Sequence, residues 1–546
     1  MLYKEYCTEK FDENGVLTAF DLNCPDNFNF GYDVVDRLAK DKPDKTALIW
    51  CNVENDEKVF TFKDISELSN KAANFLTAEG IKKGDCVMVM LKRHWEYWYV
   101  INAIHKIGAV ALPATHMLTV EDIEYRVKAA NVKAIVCTSE NDIPFRVREV
   151  KEKCGDILKK IYNVHKDIEG LTRIDLEIEK YSSEMQRVDT KTTDPFIMYF
   201  TSGTTGMPKS VIHDFSYPIA HIVTAVHWHD VRGDGLHLTV ADTGWGKASW
   251  GKIYGQWLAE TTVMVYDFEK FIAADLADII EKYGVTTFCA PPTVYRFLTK
   301  QGVDPKKLSS IKYATTAGEA MNPEIISRFR EITGITMMEG YGQTESTLMI
   351  ANLKGQTVRP GSMGKPTPLY DVRLMDDNGE FSDYGEIVVV PPTDKKQYGL
   401  FMKYGDDEEL YKKAWSGGVY HTNDIARRDE DGYFWYIGRK DDIIKSSGYK
   451  IGPFEVESVL IKHDAVLECA VVGAPDEIRG MVVKAIVVLM PGYEKSDALA
   501  KELQEFVKKH TAPYKYPRIV EFVDELPKTI SGKTRHTELR ARANNK

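Results

Sequence analysis

The sequence predicts an α/β protein: a large N-terminal domain of parallel sheets covered by helices, with a small β-rich subdomain, then a small α+β C-terminal domain. Three observations lead there. Helix-period and strand-like apolar segments alternate from about residue 60, short strands and turns take over between about 370 and 440, and a new α+β unit starts after about 452.

The elements follow in chain order. Asp64 with Glu67 reads as a capping pair opening a helix with Ile65, Leu68, Ala72, Phe75 and Leu76 inside. Residues 86–90 read as a buried strand, 95–107 as a helix stopped by Gly108, and 133–137 as a strand after a helix capped by Thr119 and Asp122. Strand–helix–strand repetition calls for a largely parallel sheet. Residues 271–283 read as a helix and 285–290 as a strand, and Asn322 with Pro323 caps a helix that buries Ile325, Ile326 and Phe329. Short strands at 372–375 and 386–390 alternate with DDNG-type turns. The charged, glycine-punctuated stretch 438–452 then reads as a boundary. Beyond it Pro453 opens a helix, 467–472 and 482–490 read as strands, and 497–508 as a helix. The expected division is 1–438, a connecting segment 439–452, and 453–546.

Composition narrows the function. The 546 residues are 43% hydrophobic and 28% charged, which is ordinary for a globular chain with more than one domain. A formal charge of −10 and no basic stripe argue against nucleic-acid binding. No apolar run is long enough to span a membrane. The polar, acidic start reads as neither signal nor transit peptide, and the eight cysteines form no CxxC pair. These features lead to the expectation of a reducing, cytoplasmic setting.

The most specific string is TSGTTGMPK at residues 201–209, directly after the apolar run 196–200. Its glycines allow close backbone approach to a phosphate. The hydroxyls of Thr201, Ser202, Thr204 and Thr205 can donate to phosphate oxygens, and Lys209 adds a movable cation. It is not the common nucleotide loop, since the lysine follows Pro208 rather than a glycine. The string resembles the phosphate loop of the adenylate-forming superfamily of acyl-CoA synthetases, luciferases and peptide-synthetase adenylation domains.

Five further segments match that superfamily in the expected order, so the resemblance covers residues from about 30 to 540. In TTAGEAM (315–321) the resemblance implies that Gly318, Glu319 and Ala320 wall the adenine. In GYGQTES (340–346) it implies that Tyr341 stacks on adenine with Gly342 beside it, that Thr344 binds the α-phosphate, and that Glu345 ligates Mg²⁺, a role suited to a hard oxygen donor. In YHTNDIA (420–426) Asp424 has the acceptor capacity for both ribose hydroxyls. Asn423 stands where relatives usually have glycine, and Asn tolerates left-handed backbone angles better than most residues. In GRKDDIIKSSGYKIG (438–452) the resemblance implies that Arg439 contacts ribose or phosphate and that Asp441 is the pivot of a mobile C-terminal domain. Ser446, Ser447, Gly448 and Tyr449 match the loop that admits the pantetheine of coenzyme A, and Lys450 takes a basic position. In PKTISGK (527–533) Lys533 matches the lysine that bridges the acyl carboxylate and the α-phosphate. Gly203 and Gly206 complete the phosphate loop.

The implied chemistry is an AMP-forming ligation in two half-reactions, with ATP, Mg²⁺ and coenzyme A. A small carboxylic acid attacks the α-phosphate, and a thiol then attacks the acyl-adenylate. Such a reaction needs positioning and charge neutralisation rather than a covalent nucleophile. Lys533 is expected to serve the first step only, with domain rotation exchanging it for the Gly448 loop. Acetate-specific relatives carry tryptophan at the position of Gly342, so glycine here is expected to leave room for a longer acid. The segment 241–255 resembles the pocket wall of medium-chain acyl-CoA synthetases, and Trp245 and Trp250 either shorten that pocket or belong to the core. Lys247 faces solvent, contacts coenzyme A or pairs with an acid. A short- or medium-chain acid, branched acids included, is the expectation. An aryl-acid (benzoate-like) ligase, a carrier-protein thiol as acceptor and a non-catalytic nucleotide-binding scaffold are the alternatives, and monomer and homodimer stay equally open.

Overall fold

The computed structural model describes all residues except 202–207, 301, 320, 448, 478, 529–532 and 545–546. Two largely parallel sheets organise the large domain. The first runs in the spatial order Lys209–Asp214, Pro195–Thr201, Val110–Pro113, Cys86–Met90, Val132–Cys137, Lys160–Asn163, Thr172–Arg173. Its strands are continuous apolar runs because helices cover both faces; all five residues of Cys86–Met90 are buried. The helix Phe62–Ala78 packs on the helix Glu96–Lys106. Its capping box joins Thr61 to Asp64, not Asp64 to Glu67. The extended Thr61 can cap, and Phe62 is already inside the helix and fully buried, a tertiary fact that the 3.6-residue period alone does not register. The Thr119–Asp122 and Asn322 caps form as expected.

The second sheet runs Lys365–Pro366, Ile350–Ala351, Met337–Tyr341, Tyr313–Ala317, Thr287–Cys289, Leu236–Thr239, Thr262–Asp267, Thr46–Asn52, Glu57–Thr61. It is parallel from Met337–Tyr341 through Thr46–Asn52 and antiparallel at both edges. In register, Thr239 pairs with Cys289, Cys289 with Thr315, and Ala317 with Gly340. The loops leaving four neighbouring strands therefore emerge side by side at the carboxyl edge, where open α/β sheets bind ligands.

A five-stranded antiparallel sheet (Phe381–Ser382, Asp371–Met375, Tyr384–Val390, Tyr420–Arg428, Phe434–Arg439) forms the β-rich subdomain. The C-terminal domain is a sheet of Tyr449–Ile451, Ile444–Ser446, Gly480–Leu489 and Val466–Asp476, with Ile519–Val523 parallel to Gly480–Leu489. Helices Pro453–Leu460 and Asp497–His510 bury Val456, Leu460, Leu503 and Val507 on one face, and helix His536–Asn544 seals the other with Leu539 and Ala543.

Candidate active site

The string 201–209 closes a hairpin. Pro195–Thr201 and Lys209–Asp214 are antiparallel, and Thr201 faces Lys209 across the pair. Ser202, Gly203, Thr204, Thr205 and Gly206 lie outside the described residues. The return strand is stitched to the segment 400–403: Ile212 N–H donates to the Lys403 carbonyl (3.1 Å) and Met402 N–H to the Ile212 carbonyl (2.8 Å). The same segment is stitched to GYGQTES, since Phe401 N–H donates to the Glu345 carbonyl (2.8 Å). This zipper brings three distant side chains together. Lys209 Nζ lies 2.9 Å from Glu345 Oε1 and 3.1 Å from the Tyr404 hydroxyl, which donates to Glu345 Oε1 at 2.9 Å. Glu345 is buried and Lys209 partly exposed, so a cation and a carboxylate meet at the base of the hairpin. His213, four residues along the same strand, donates from Nε2 to the Thr344 carbonyl (2.7 Å) and holds the backbone that carries Thr344 and Glu345. Burial pushes His213 down to about 4, so at neutral pH it is an uncharged donor.

The next cluster centres on Asp424, paired in register with Arg439. Asp424 Oδ2 accepts from the Tyr341 hydroxyl and from Gln343 Nε2, each at 2.6 Å. Its Oδ1 takes longer contacts, Tyr436 at 3.3 Å and Arg439 at 3.6 Å. Burial raises the carboxyl's pKa; Arg439, Tyr341, Gln343 and Tyr436 pull against it. Asn423 has φ +60°, a left-handed conformation that asparagine tolerates better than most residues. Gly318 has φ +104° and Glu319 is exposed, both just past the end of Tyr313–Ala317; Ala320 lies outside the described residues.

Beneath this cluster Glu339 is buried and accepts from the backbone of Met321 (3.1 Å) and Gly361. Burial pushes its carboxyl up to about 8. The folded state therefore holds a proton that the unfolded chain releases near its ordinary value of about 4.3. Its contribution to stability is complete below that value and is lost as pH rises through 8, at most about 1.4 kcal/mol per pH unit. Glu339→Gln is expected to flatten the fall in melting temperature between pH 5 and 8, read by thermal unfolding; an unchanged slope would refute it.

On the acyl side the structure corrects one expectation. A Cβ at Gly342 would lie 2.5 Å from the Thr347 carbonyl oxygen and 2.5 Å from the Trp250 ring. The space that glycine leaves is thus filled by the Trp250 indole and is not an open extension of the pocket. Trp250 is buried, with its ring 6.2 Å from Trp228 and 6.1 Å from His221, whereas Trp245 is partly exposed and precedes the helix Gly246–Gly251. Lys247 is partly buried and donates from Nζ to the Ala317 carbonyl at 2.9 Å, so it does not stand free in solvent. Burial lowers its pKa, and repulsion from Lys533 acts in the same direction. Lys533 of the C-terminal domain therefore lies within electrostatic reach of the pocket wall.

The remaining residues lie on the domain junction. The Asp441 carbonyl accepts from Arg540, whose NH1 is 2.6 Å from Asp442. Ser447 has φ +49°, the exposed Tyr449 stacks on Tyr514 at 4.2 Å, and Lys450 pairs with Asp377 of the β-rich sheet. Gly448 lies outside the described residues. Gln343, Tyr404, Tyr436 and His213 had no part in the sequence reading. Gln343 sits inside a recognised string, but an isolated Tyr404 between Lys403 and Gly405 carries no local signal.

A tyrosine–carboxylate–arginine cluster at the carboxyl edge of a parallel sheet, close to a lysine–carboxylate pair, fits the site of an adenylate-forming enzyme. The chain belongs to the AMP-binding enzyme family. The model of that family matches residues 35–398, and the model of its C-terminal domain matches 455–533. The mitochondrial acyl-coenzyme A synthetase ACSM3 of Mus musculus is 39% identical over 99% of this chain and 95% of its own length. The mitochondrial acyl-coenzyme A synthetase ACSM4 of Homo sapiens is 41% identical over 94% and 90%. Among solved structures, the anthranilate CoA ligase AuaEII in complex with anthranoyl-AMP superposes with a TM-score of 0.87 at 28% identity, covering 95% of this chain and 98% of that one. These relatives overturn the cytoplasmic expectation, because both synthetases are mitochondrial. Free cysteines suit any reducing compartment, so cysteine usage could not separate the two.

Proposed function

We propose that this AMP-forming acyl-CoA synthetase activates a short- or medium-chain carboxylic acid, branched acids included, and that the residues above divide the work as follows. ATP and coenzyme A are its co-substrates. Lys209 and the hydroxyls of the 201–209 loop hold the β- and γ-phosphates. Asp424 receives the ribose hydroxyls on Oδ1, whose contacts are the longer ones, while Tyr341 and Gln343 fix Oδ2. Tyr341 stacks on adenine against Gly318 and Glu319. Among the described residues no group of three His, Cys, Asp or Glu side chains converges on a metal position, and Glu345 Oε1 is already engaged by Lys209 and Tyr404. That suits Mg²⁺, which keeps one or two carboxylates and completes its shell with phosphate oxygens. Mg²⁺ would neutralise phosphate charge there. Lys533 stabilises the charge that develops at the α-phosphate. We assign residues 1–438 to the adenylation domain, 439–452 to hinge and thiolation loop with Asp441 as pivot, and 453–546 to a mobile domain. Rotation would bring Ser447, Gly448 and Tyr449 to the site for the thiol step.

The observation that carries the reading is the convergence of Lys209, Glu345 and Tyr404 beside the Asp424 cluster. The observation that bears on the acid is Trp250 seated against Gly342, which supports a short pocket. Thioester yields over acids of about two to twelve carbons test it: an optimum among acids of intermediate length is expected, and acetate as the best substrate would overturn it. The aryl-acid reading draws support from the aromatic wall of Trp228 and Trp250 and from the likeness to an anthranilate ligase. Benzoate outcompeting butyrate would decide for it.

A further inference from the structure

Among the described residues, Glu468 links the base of the segment that carries Lys533 to the large domain. Lys528 forms an antiparallel bridge with Thr534, its Nζ lies 3.3 Å from the Thr534 hydroxyl, and Arg535 N–H donates to the Pro527 carbonyl at 2.8 Å. The two arms of PKTISGK are thus zipped at their base, and whatever holds Lys528 also holds the strand position next to Lys533. Glu468, on the strand Val466–Asp476, holds it: Oε2 lies 2.8 Å from Lys528 Nζ. The other oxygen, Oε1, lies 3.5 Å from Arg296 NH1. Arg296 belongs to the large domain, on the helix Pro292–Lys300 that directly follows the site strand Thr287–Cys289. Its side chain is 14% exposed, and its Nε is buried without a hydrogen-bond partner, so the guanidinium is committed to this junction.

We propose that Glu468 is a positioning residue for the adenylation half-reaction, bridging Arg296 and Lys528 so that the zipped turn seats Lys533 at the α-phosphate. The inference rests on the role given to Lys533 above. Magnitudes separate it from a purely structural bridge. A partly exposed ion pair contributes on the order of 0–1 kcal/mol to stability. A displacement of about 1 Å of a catalytic group can cost about 10²-fold in rate. The bridge should therefore matter to rate far more than to folding, and only in the step that uses this domain orientation.

The test measures both half-reactions and thermal unfolding in Glu468→Gln, Arg296→Gln and Arg296→Lys, with Lys533→Ala alongside. Acid-dependent pyrophosphate exchange is expected to fall about tenfold or more in both glutamine variants. Thioester formation from supplied acyl-adenylate and coenzyme A should stay within about twofold, with the melting temperature little changed. The double variant should be no worse than either single one, since both cut the same bridge. Arg296→Lys keeps the cation and its packing and should recover most of the exchange, which keeps the idea testable if a glutamine variant folds poorly. Equal losses in both half-reactions, no loss in either, or a lysine variant as impaired as the glutamine one would overturn the proposal. If Lys533→Ala itself retains exchange, the reading of Lys533 fails instead.

Discussion

Lys533→Ala is expected to slow acyl-adenylate formation by about 10²–10³-fold while leaving thioester formation from supplied acyl-adenylate within about twofold. The first number is the usual cost of removing one preorganised donor from a developing charge in a water-poor site. The role proposed for Lys533 draws on one observation: its charge is felt at Lys247, whose ammonium is bonded to the Ala317 carbonyl just before Gly318. The second number follows from the division of labour. Thiol attack on the acyl-adenylate expels AMP and needs no new charge on phosphorus, so a lysine delivered only for the first step is not missed. Rapid-quench measurement of each half-reaction decides it. Equal losses in both would mean that Lys533 holds the domains rather than the phosphate.

Gly342→Trp is expected to cut kcat/KM by roughly 10²-fold for every acid and not to convert the enzyme to acetate. Reading the sequence by this one position points to a smaller acid on making that change. The structure says otherwise, because the room a tryptophan would need is taken. Even a methyl at residue 342 would sit 2.5 Å from both the Thr347 carbonyl and the Trp250 ring. Either the backbone that leads into Thr344 and Glu345 must shift, or Trp250 must leave its place beside Trp228 and His221. Overpacking of this kind also costs about 1–3 kcal/mol of stability. Gly342→Trp combined with Trp250→Ala should restore part of the activity with a changed acid preference, read from a panel of straight and branched acids. Full activity of the single variant on acetate would sink the argument.

Class and site strings were legible in the sequence for a physical reason. Phosphate, ribose and metal recognition depend on short runs of backbone and side chain, and strings such as 201–209 or 420–426 carry their chemistry within a few residues. Asn423 shows how far this reaches: it stands where relatives usually have glycine, asparagine tolerates left-handed angles, and its φ is +60°. Helix termini were less legible, as the Thr61 cap shows, because burial of Phe62 is a property of the packed chain.

What the sequence by itself determined, then, was the family and the reaction, along with the strings to which nucleotide handling is assigned. Only the tertiary structure decided which remote side chains complete them. Tyr404 reaches Lys209 across 195 positions, and Gln343 reaches Asp424 across 81. Trp250 fills the gap at Gly342, Lys247 settles on the Ala317 carbonyl, and Glu468 spans the two domains. Such contacts are set by sheet register and domain packing, and no local pattern encodes them.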